Sequence, residues 1–209
     1  MFMYCTFFSN TNMEKNDPRV SGFLSGLEKW NRRINLVSKN DIPRLYERHF
    51  TDSLVAEKYI SKNATVLDIG SGNGFPAIPI ALSRNDLQIV AMEKNVKKGY
   101  FLKRMKEGLH ISNLSIFIGK IEEEPNEYKK HFDYCLSRAF SSTEEIVKKA
   151  IYYLKNNGKI IIFKSFIDND IDGLSTMVGK LINSVDNVVY KNTSGEKRKL
   201  VILKTKTLI

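Results

Sequence analysis

Cysteine is scarce in this 209-residue chain: Cys5 and Cys135 are the only two, and they have no paired spacing. That excludes a disulfide framework and a zinc cluster built on thiolates, and it suits a reducing, cytoplasmic setting. Of three histidines, no second one lies near His49; His110 and His131 fall at helix ends or in loops. No metal site is expected. No apolar run reaches the roughly 18 residues that a membrane-spanning helix requires. Residues 1–8 are apolar but lack a basic leader and a small-residue cleavage site, so no signal peptide is expected. Repeats, low-complexity tracts, long linkers and heptads are also missing, which leads to the expectation of a monomer with one domain, 1–209.

What is present is a globular balance, with 42% hydrophobic and 27% charged residues. Lys and Arg outnumber Asp and Glu by 33 to 23, a formal net charge of +10. Such a surplus favours a polyanionic partner, because each neutralised phosphate releases condensed counterions.

Asp17-Pro18 reads as an N-cap followed by proline at the first helical position. Val20, Phe23, Leu24, Leu27 and Trp30 then recur at helical spacing, and a second helix is expected over 42–60. Together these form a helical cap over 1–62. From 63 the period changes. Short buried strands at 64–69, 88–92, 114–118, 132–137 and 159–164 alternate with helices at 74–84, 96–109, 143–154 and 171–182, with a short acidic helix near Glu122. Strand–helix alternation implies an α/β fold with a mostly parallel sheet covered on both faces. Strands at 187–191 and 199–205, joined through Gly195, close it as an antiparallel hairpin. This is the order of a class I, Rossmann-like methyltransferase.

The first strand runs into Asp68-Ile69-Gly70-Ser71-Gly72-Asn73-Gly74-Phe75. Three glycines between a buried strand and a helix suit a nucleotide, but Phe75 stands where the dinucleotide fingerprint needs its third glycine. Asp68 suits an ammonium-bearing aminoacyl end better than a pyrophosphate. Glu93 closes the second strand and is long enough to accept both hydroxyls of an adenosine ribose. Ile121-Glu122 follows the third strand and is placed to flank the adenine. Ser137-Arg138-Ala139-Phe140 follows the fourth, where a methyl acceptor sits. A partly buried arginine there needs an anion, which a cofactor carboxylate or an RNA phosphate would supply.

Asn31 to Ser38, Arg48-His49 with Asp52-Ser53, the run Val66 to Pro79 and Ser137-Arg138-Ala139-Phe140 together resemble the bacterial 16S ribosomal RNA guanine-N7 methyltransferase family (RsmG, also called GidB). The Phe-Pro-x-Ile-Pro extension of the glycine loop is the most specific part. The resemblance implies S-adenosyl-L-methionine as cofactor, held at Gly70, Phe75, Ile121, Glu122 and Arg138. It also implies 16S RNA or the small ribosomal subunit as partner. Ala77, Glu93 and Lys164-Ser165 stand where that family usually has Gly, Asp and Lys-Gly.

The residues fit that chemistry. No Asn- or Asp-Pro-Pro-aromatic tetrad for an exocyclic amine follows the fourth strand. Cys135 sits in a buried strand as an apolar filler, so attack on a pyrimidine carbon lacks its nucleophile. Guanine N7 carries a lone pair and no proton, so alignment alone can serve it, with Arg138 as the positioning group at the reacting centre. Asp68, Gly70, Gly72, Phe75, Glu93, Ile121, Glu122 and Arg138 form the expected cofactor site. Arg48, His49, Lys94, Lys97, Lys164 and Arg198 are the expected RNA contacts, and Arg48, His49 and Asp52 a polar network tying the cap to the site. A methyltransferase for another RNA, a protein or a small molecule remains open, as does a non-catalytic RNA-binding protein of the same fold.

Overall fold

The structure is a computed structural model that describes residues 2–4, 13–121, 126–138, 141–171 and 174–206. Its frame is an eight-stranded sheet: β1 (Phe2–Tyr4), β2 (Thr65–Ile69), β3 (Gln88–Glu93), β4 (Leu114–Ile118), β5 (Phe132–Arg138), β6 (Leu154–Ser165), β7 (Ile182–Lys191) and β8 (Lys197–Thr205). The spatial order is β1-β7-β8-β6-β5-β2-β3-β4. Only β8 runs against its neighbours, pairing antiparallel with both β6 and β7. The terminal hairpin expected around Gly195 is present, with Gly195 at φ 79°.

Alternation along the strands divides the core between two faces. Val66, Ile89, Leu136 and Ile161 point to one, where they meet α1 (Pro18–Asn31), α3 (Ala77–Ser83) and α4 (Val96–Gly108). Leu67, Val90, Cys135 and Ile160 point to the other, against Ile146, Val147 and Ala150 of α5 (Thr143–Tyr153). Both faces of β2 are covered, which explains why it reads as one unbroken apolar run around Asp68.

Asp17 caps α1 as its sequence announced, accepting the Arg19 amide at 2.8 Å. Helices α1 and α4 lie close because α1 offers glycines there. A Cβ on Gly22 would stand 2.9 Å from Leu109, and one on Gly26 would stand 2.7 Å from the Met105 sulfur.

Two helical expectations fail. The stretch 42–60 is not one helix but a 3-10 segment (Lys39–Arg44), a π-turn (Tyr46–Phe50), the short α2 (Thr51–Leu54) and another 3-10 turn (Glu57–Tyr59). Pro43 lacks the amide that a regular helix needs, and the wide π-turn opens carbonyls that the site uses. Among the described residues of 171–182 the helix is only α6 (Thr176–Gly179), because β7 already begins at Ile182 and draws the chain into the sheet. The helix after the glycine loop starts at Ala77 rather than Gly74. Strand β1, which pairs with β7 at the sheet edge, had no expectation behind it. Cys5, Glu122 and Phe140 lie outside the described residues.

Candidate active site

Strand β2 has β3 on one side and β5 on the other, so successive crossovers leave it in opposite directions. A crevice therefore opens at the C-terminal ends of these strands. The glycine loop fills its floor. The amides of Gly70 and Ser71 both donate to the Met92 carbonyl at 3.0 Å, and Gly74 N–H donates to Ser71 O at 2.7 Å. Gly74 has φ 89°, and a Cβ there would meet Ile78 Cδ1 at 2.7 Å and Phe23 Cζ at 3.2 Å. It is glycine for handedness and for space.

Glu93 ends β3 with its carboxylate turned into the loop. Its Oε2 accepts the Gly72 amide at 2.8 Å and its Oε1 the Asn95 amide at 2.7 Å. Each oxygen retains a lone pair for a diol. Asp68 is buried, and neither of its carboxylate oxygens has a hydrogen-bond partner. Burial, reinforced by the charge of Glu93, raises its pKa to about 7. The nearby Ser71 hydroxyl offsets this only in part, since it donates to the Asp68 carbonyl at 3.0 Å. An unpartnered buried carboxylate beside the glycine loop is a place for a cation.

Arg138, at the end of β5, is buried among groups from the cap. Its guanidinium donates to the His49 carbonyl at 3.2 Å and the Arg48 carbonyl at 3.4 Å, both opened by the π-turn. It also donates to His49 Nδ1 and lies 5.7 Å from the Phe75 ring centroid. Its counterion is Asp52 Oδ2, at 3.5 Å. Asp52 has no exposed side-chain surface; it accepts the Tyr190 hydroxyl at 2.7 Å and has Arg198 at 3.8 Å. Burial, then Asp52, raises the Tyr190 pKa, while burial draws that of Arg138 down.

His49 stacks on Phe75 at 5.4 Å. Burial, then the charge of Arg138, lowers its pKa to about 4, so its ring is neutral near pH 7. With Nδ1 accepting from Arg138, the ring proton sits on Nε2, 3.4 Å from Asp41 Oδ2. Asp41 also takes Arg48, whose Nε reaches Glu196 at 3.2 Å.

Two cavities share Gly70 as a common wall. The smaller, about 310 Å³, is lined by Gly72, Met92, Glu93, Lys94, Lys98 and Ile121 among others. The larger, about 400 Å³, is lined by Arg48, His49, Asn73, Phe75, Arg138 and Arg198 among others. The pair fits a nucleoside on the Glu93 side and an acceptor on the Arg138 side. Among the described residues, no three His, Cys, Asp or Glu side chains gather as metal ligands.

The expected positions divide accordingly. Gly70, Gly72, Glu93 and Ile121 meet at the smaller cavity, and Phe75 and Arg138 at the larger. Asp68 lies buried beneath the loop. Lys94 lines the smaller cavity, Lys97 is exposed on α4, and Arg48, His49 and Arg198 line the larger cavity. Lys164 departs from its expected role as a free phosphate contact. Only 7% exposed, it pairs with Asp170 at 2.6 Å and Asp168 at 3.2 Å, so its charge is already used. Asp41 and Tyr190 were missed. Asp41 lies seven and eight residues before Arg48 and His49, a spacing that could have placed it on their face. Tyr190 meets Asp52 across 138 residues and carried no local signal.

A glycine-rich loop at the switch point of a mostly parallel sheet, with a glutamate ending the neighbouring strand and bonded to that loop, defines a Rossmann-like, S-adenosylmethionine-dependent methyltransferase. Solved structures carry the same fold. TYW2 from M. jannaschii, solved in complex with AdoMet, superimposes with a TM-score of 0.60 at 18% identity, over 85% of this chain and 80% of that one. A SAM dependent methyltransferase from Aquifex aeolicus gives 0.58 at 14% identity, over 87% and 97%. The sequence narrows the class: the family model GidB, "rRNA small subunit methyltransferase G", matches residues 16–201, and the chain belongs to this family. A relative of that name from Geobacter sp. (strain M21) is 32% identical over 184 residues, covering 87% of this chain and 85% of its own. One from Legionella pneumophila (strain Corby) is 36% identical over 151 residues, 71% of each chain.

Proposed function

We propose that this protein transfers a methyl group from S-adenosylmethionine to N7 of a guanine in the 16S RNA of the small ribosomal subunit. The observation that carries this is the pair of cavities meeting at Gly70, one holding the Glu93 carboxylate among lysines and the other lined by Arg48, Arg138 and Arg198. What the cofactor supplies is an electrophilic sulfonium methyl, taken by the N7 lone pair as the carbon–sulfur bond breaks.

The chain's own residues bind and align. Glu93 would accept the ribose hydroxyls, Asp68 would face the ammonium, and Ile121 with Glu122 would border the base. Gly70 and Gly72 leave the backbone open to the ligand, while Phe75 and Arg138, on the far side of Gly70, would seat the acceptor and steady the sulfonium. Such alignment is worth on the order of 7–11 kcal/mol where geometry is ideal. No residue need take a proton. His49, the histidine at the acceptor cavity, has its acceptor nitrogen engaged by Arg138. That arrangement suits an acceptor atom that carries no hydrogen.

Lys94 at the smaller cavity and the exposed Lys97 would meet RNA phosphates, whereas Arg48, His49 and Arg198 line the larger cavity with Asp41, Glu196, Arg138 and Asp52 already beside them. The protein acts as a cytoplasmic monomer and as one domain, with Phe2–Tyr4 joining the core sheet and the helical segments between Pro18 and Tyr59 forming the cap; no metal enters the reaction. Mass mapping of 16S RNA from a strain lacking this protein tests the reading. Loss of a single 7-methylguanine is expected, restored by adding the purified protein and cofactor to the small subunit. An unchanged methylation map would refute it.

A further inference from the structure

Among the described residues, three large hydrophobic side chains are strongly exposed: Val96 at 69%, Tyr100 at 53% and Ile167 at 86%. All three sit at the ligand end of the sheet. Ile167 lies between Ser165 and Asp168, which line the larger cavity. Val96 and Tyr100 are one turn apart on α4, so they share a face, and Lys94 just before them lines the smaller cavity.

The α4 face has a second component. Packing of Gly22 on Leu109 and Gly26 on Met105 runs α1 antiparallel along α4, which brings Trp30 to the end where Tyr100 emerges. Trp30 and Tyr100 lie 6.1 Å apart, and Trp30 rests on Phe101 at 5.9 Å. The tryptophan is thus anchored by the core, and the tyrosine stands over it toward solvent. Around this pair the charge left without an ion-pair partner is of one sign. Lys29, Arg33, Lys94, Lys97 and Lys103 have no carboxylate partner among the described residues, whereas Glu28 and Glu107 are taken by Arg32 and Arg104.

We infer that Tyr100, backed by Trp30 and flanked by Val96, is a stacking platform for an unpaired RNA base, with the surrounding cations on its phosphates. The inference rests on RNA being the substrate. An exposed ring among unpaired cations matches single-stranded nucleic acid, whose bases offer ring faces that a duplex conceals. A protein partner would call for a much larger apolar patch, since stable interfaces cover about 800 Å² per side. The platform lies beside the cofactor cavity rather than the acceptor cavity. It therefore grips the strand next to the reacting nucleotide and leaves that nucleotide free to enter.

Filter binding of naked 16S RNA and of small subunits to the full chain tests this, with S-adenosylmethionine affinity measured alongside as a control for folding. Tyr100→Ala is expected to weaken binding of naked RNA about tenfold, consistent with loss of one base–aromatic stack. Tyr100→Trp restores it, Tyr100→Leu does not, and cofactor affinity is the same in all four proteins. Lys97→Glu lowers the slope of log affinity against log salt, whereas Tyr100→Ala leaves that slope alone. Unchanged RNA affinity in Tyr100→Ala, or full rescue by leucine, overturns the platform. A loss seen with subunits but not with naked RNA overturns it in favour of a ribosomal protein. Because binding is read directly, absence of methyl transfer by the unmodified protein would count against the proposed reaction alone.

Discussion

Glu93 and Gly72 join the two halves of the nucleotide crevice: the carboxylate at the end of β3 accepts the loop amide that follows β2, at 2.8 Å. One side chain thus shapes the loop and presents lone pairs to the cavity. Glu93→Ala removes both functions and leaves the Gly72 and Asn95 amides without an acceptor. Cofactor affinity, measured by calorimetry, is expected to fall at least tenfold, in line with hydrogen bonds to a charged group at about 1.5–3 kcal/mol each. Glu93→Gln also weakens binding, because its amide nitrogen cannot accept either N–H.

Asp52 is fully buried between Arg138, Arg198 and Tyr190, and it neutralises the arginines from inside. Removing one partner of such a cluster leaves uncompensated charge. Asp52→Ala is expected to cost about 3–5 kcal/mol in urea unfolding. Tyr190→Phe, which removes one charge-assisted bond, costs about 2 kcal/mol. Equal stability of Asp52→Ala and the unmodified protein would remove Asp52 from this role.

The pKa of Asp68 is raised from 3.8 to about 7. Between those values the folded protein keeps a proton that the unfolded chain has lost, so this contribution to stability falls as pH rises through the window. A bound ammonium favours the carboxylate and reverses the trend for the complex. Cofactor affinity is therefore expected to rise from about pH 6 to about pH 8, with proton release on binding, and Asp68→Asn abolishes both. His49 acts at lower pH. Its pKa is depressed from 6.5 to about 4, so the stability it contributes is full above 6.5 and is lost as pH falls toward 4. Acid unfolding followed by circular dichroism should show a shallower loss in His49→Gln over that range.

Gly74 and Gly72 both have positive φ but differ in surroundings. A Cβ on Gly74 strikes Ile78 and Phe23, while one on Gly72 reaches only ordinary contact, 3.6 Å from the Gly70 carbonyl. Gly74→Ala is expected to lose about 2–4 kcal/mol through handedness and overpacking together. Gly72→Ala loses about 1 kcal/mol and shows its larger effect on cofactor binding. Thermal unfolding with and without cofactor separates the two.

Periodicity determined the α/β order and the bounds of α4 within a residue, the Asp17-Pro18 cap the start of α1, and residue type and spacing the antiparallel close around Gly195 and the glycine loop with Glu93 one unit downstream. These are local matters. A buried strand, a capped helix and a tight turn are each dictated by neighbours in sequence. What only the tertiary structure decided depends on distant partners: the cap breaks into a π-turn whose carbonyls receive Arg138, and β1 finds β7. Lys164 illustrates the limit best, since its charge was legible and its burial between Asp168 and Asp170 was not. Arg138 was expected to wait for an anion from a ligand, yet Asp52, 86 positions away, already lies beside it. Whether a charge is spent or available is set by packing, because desolvation and ion pairing are properties of what surrounds a side chain.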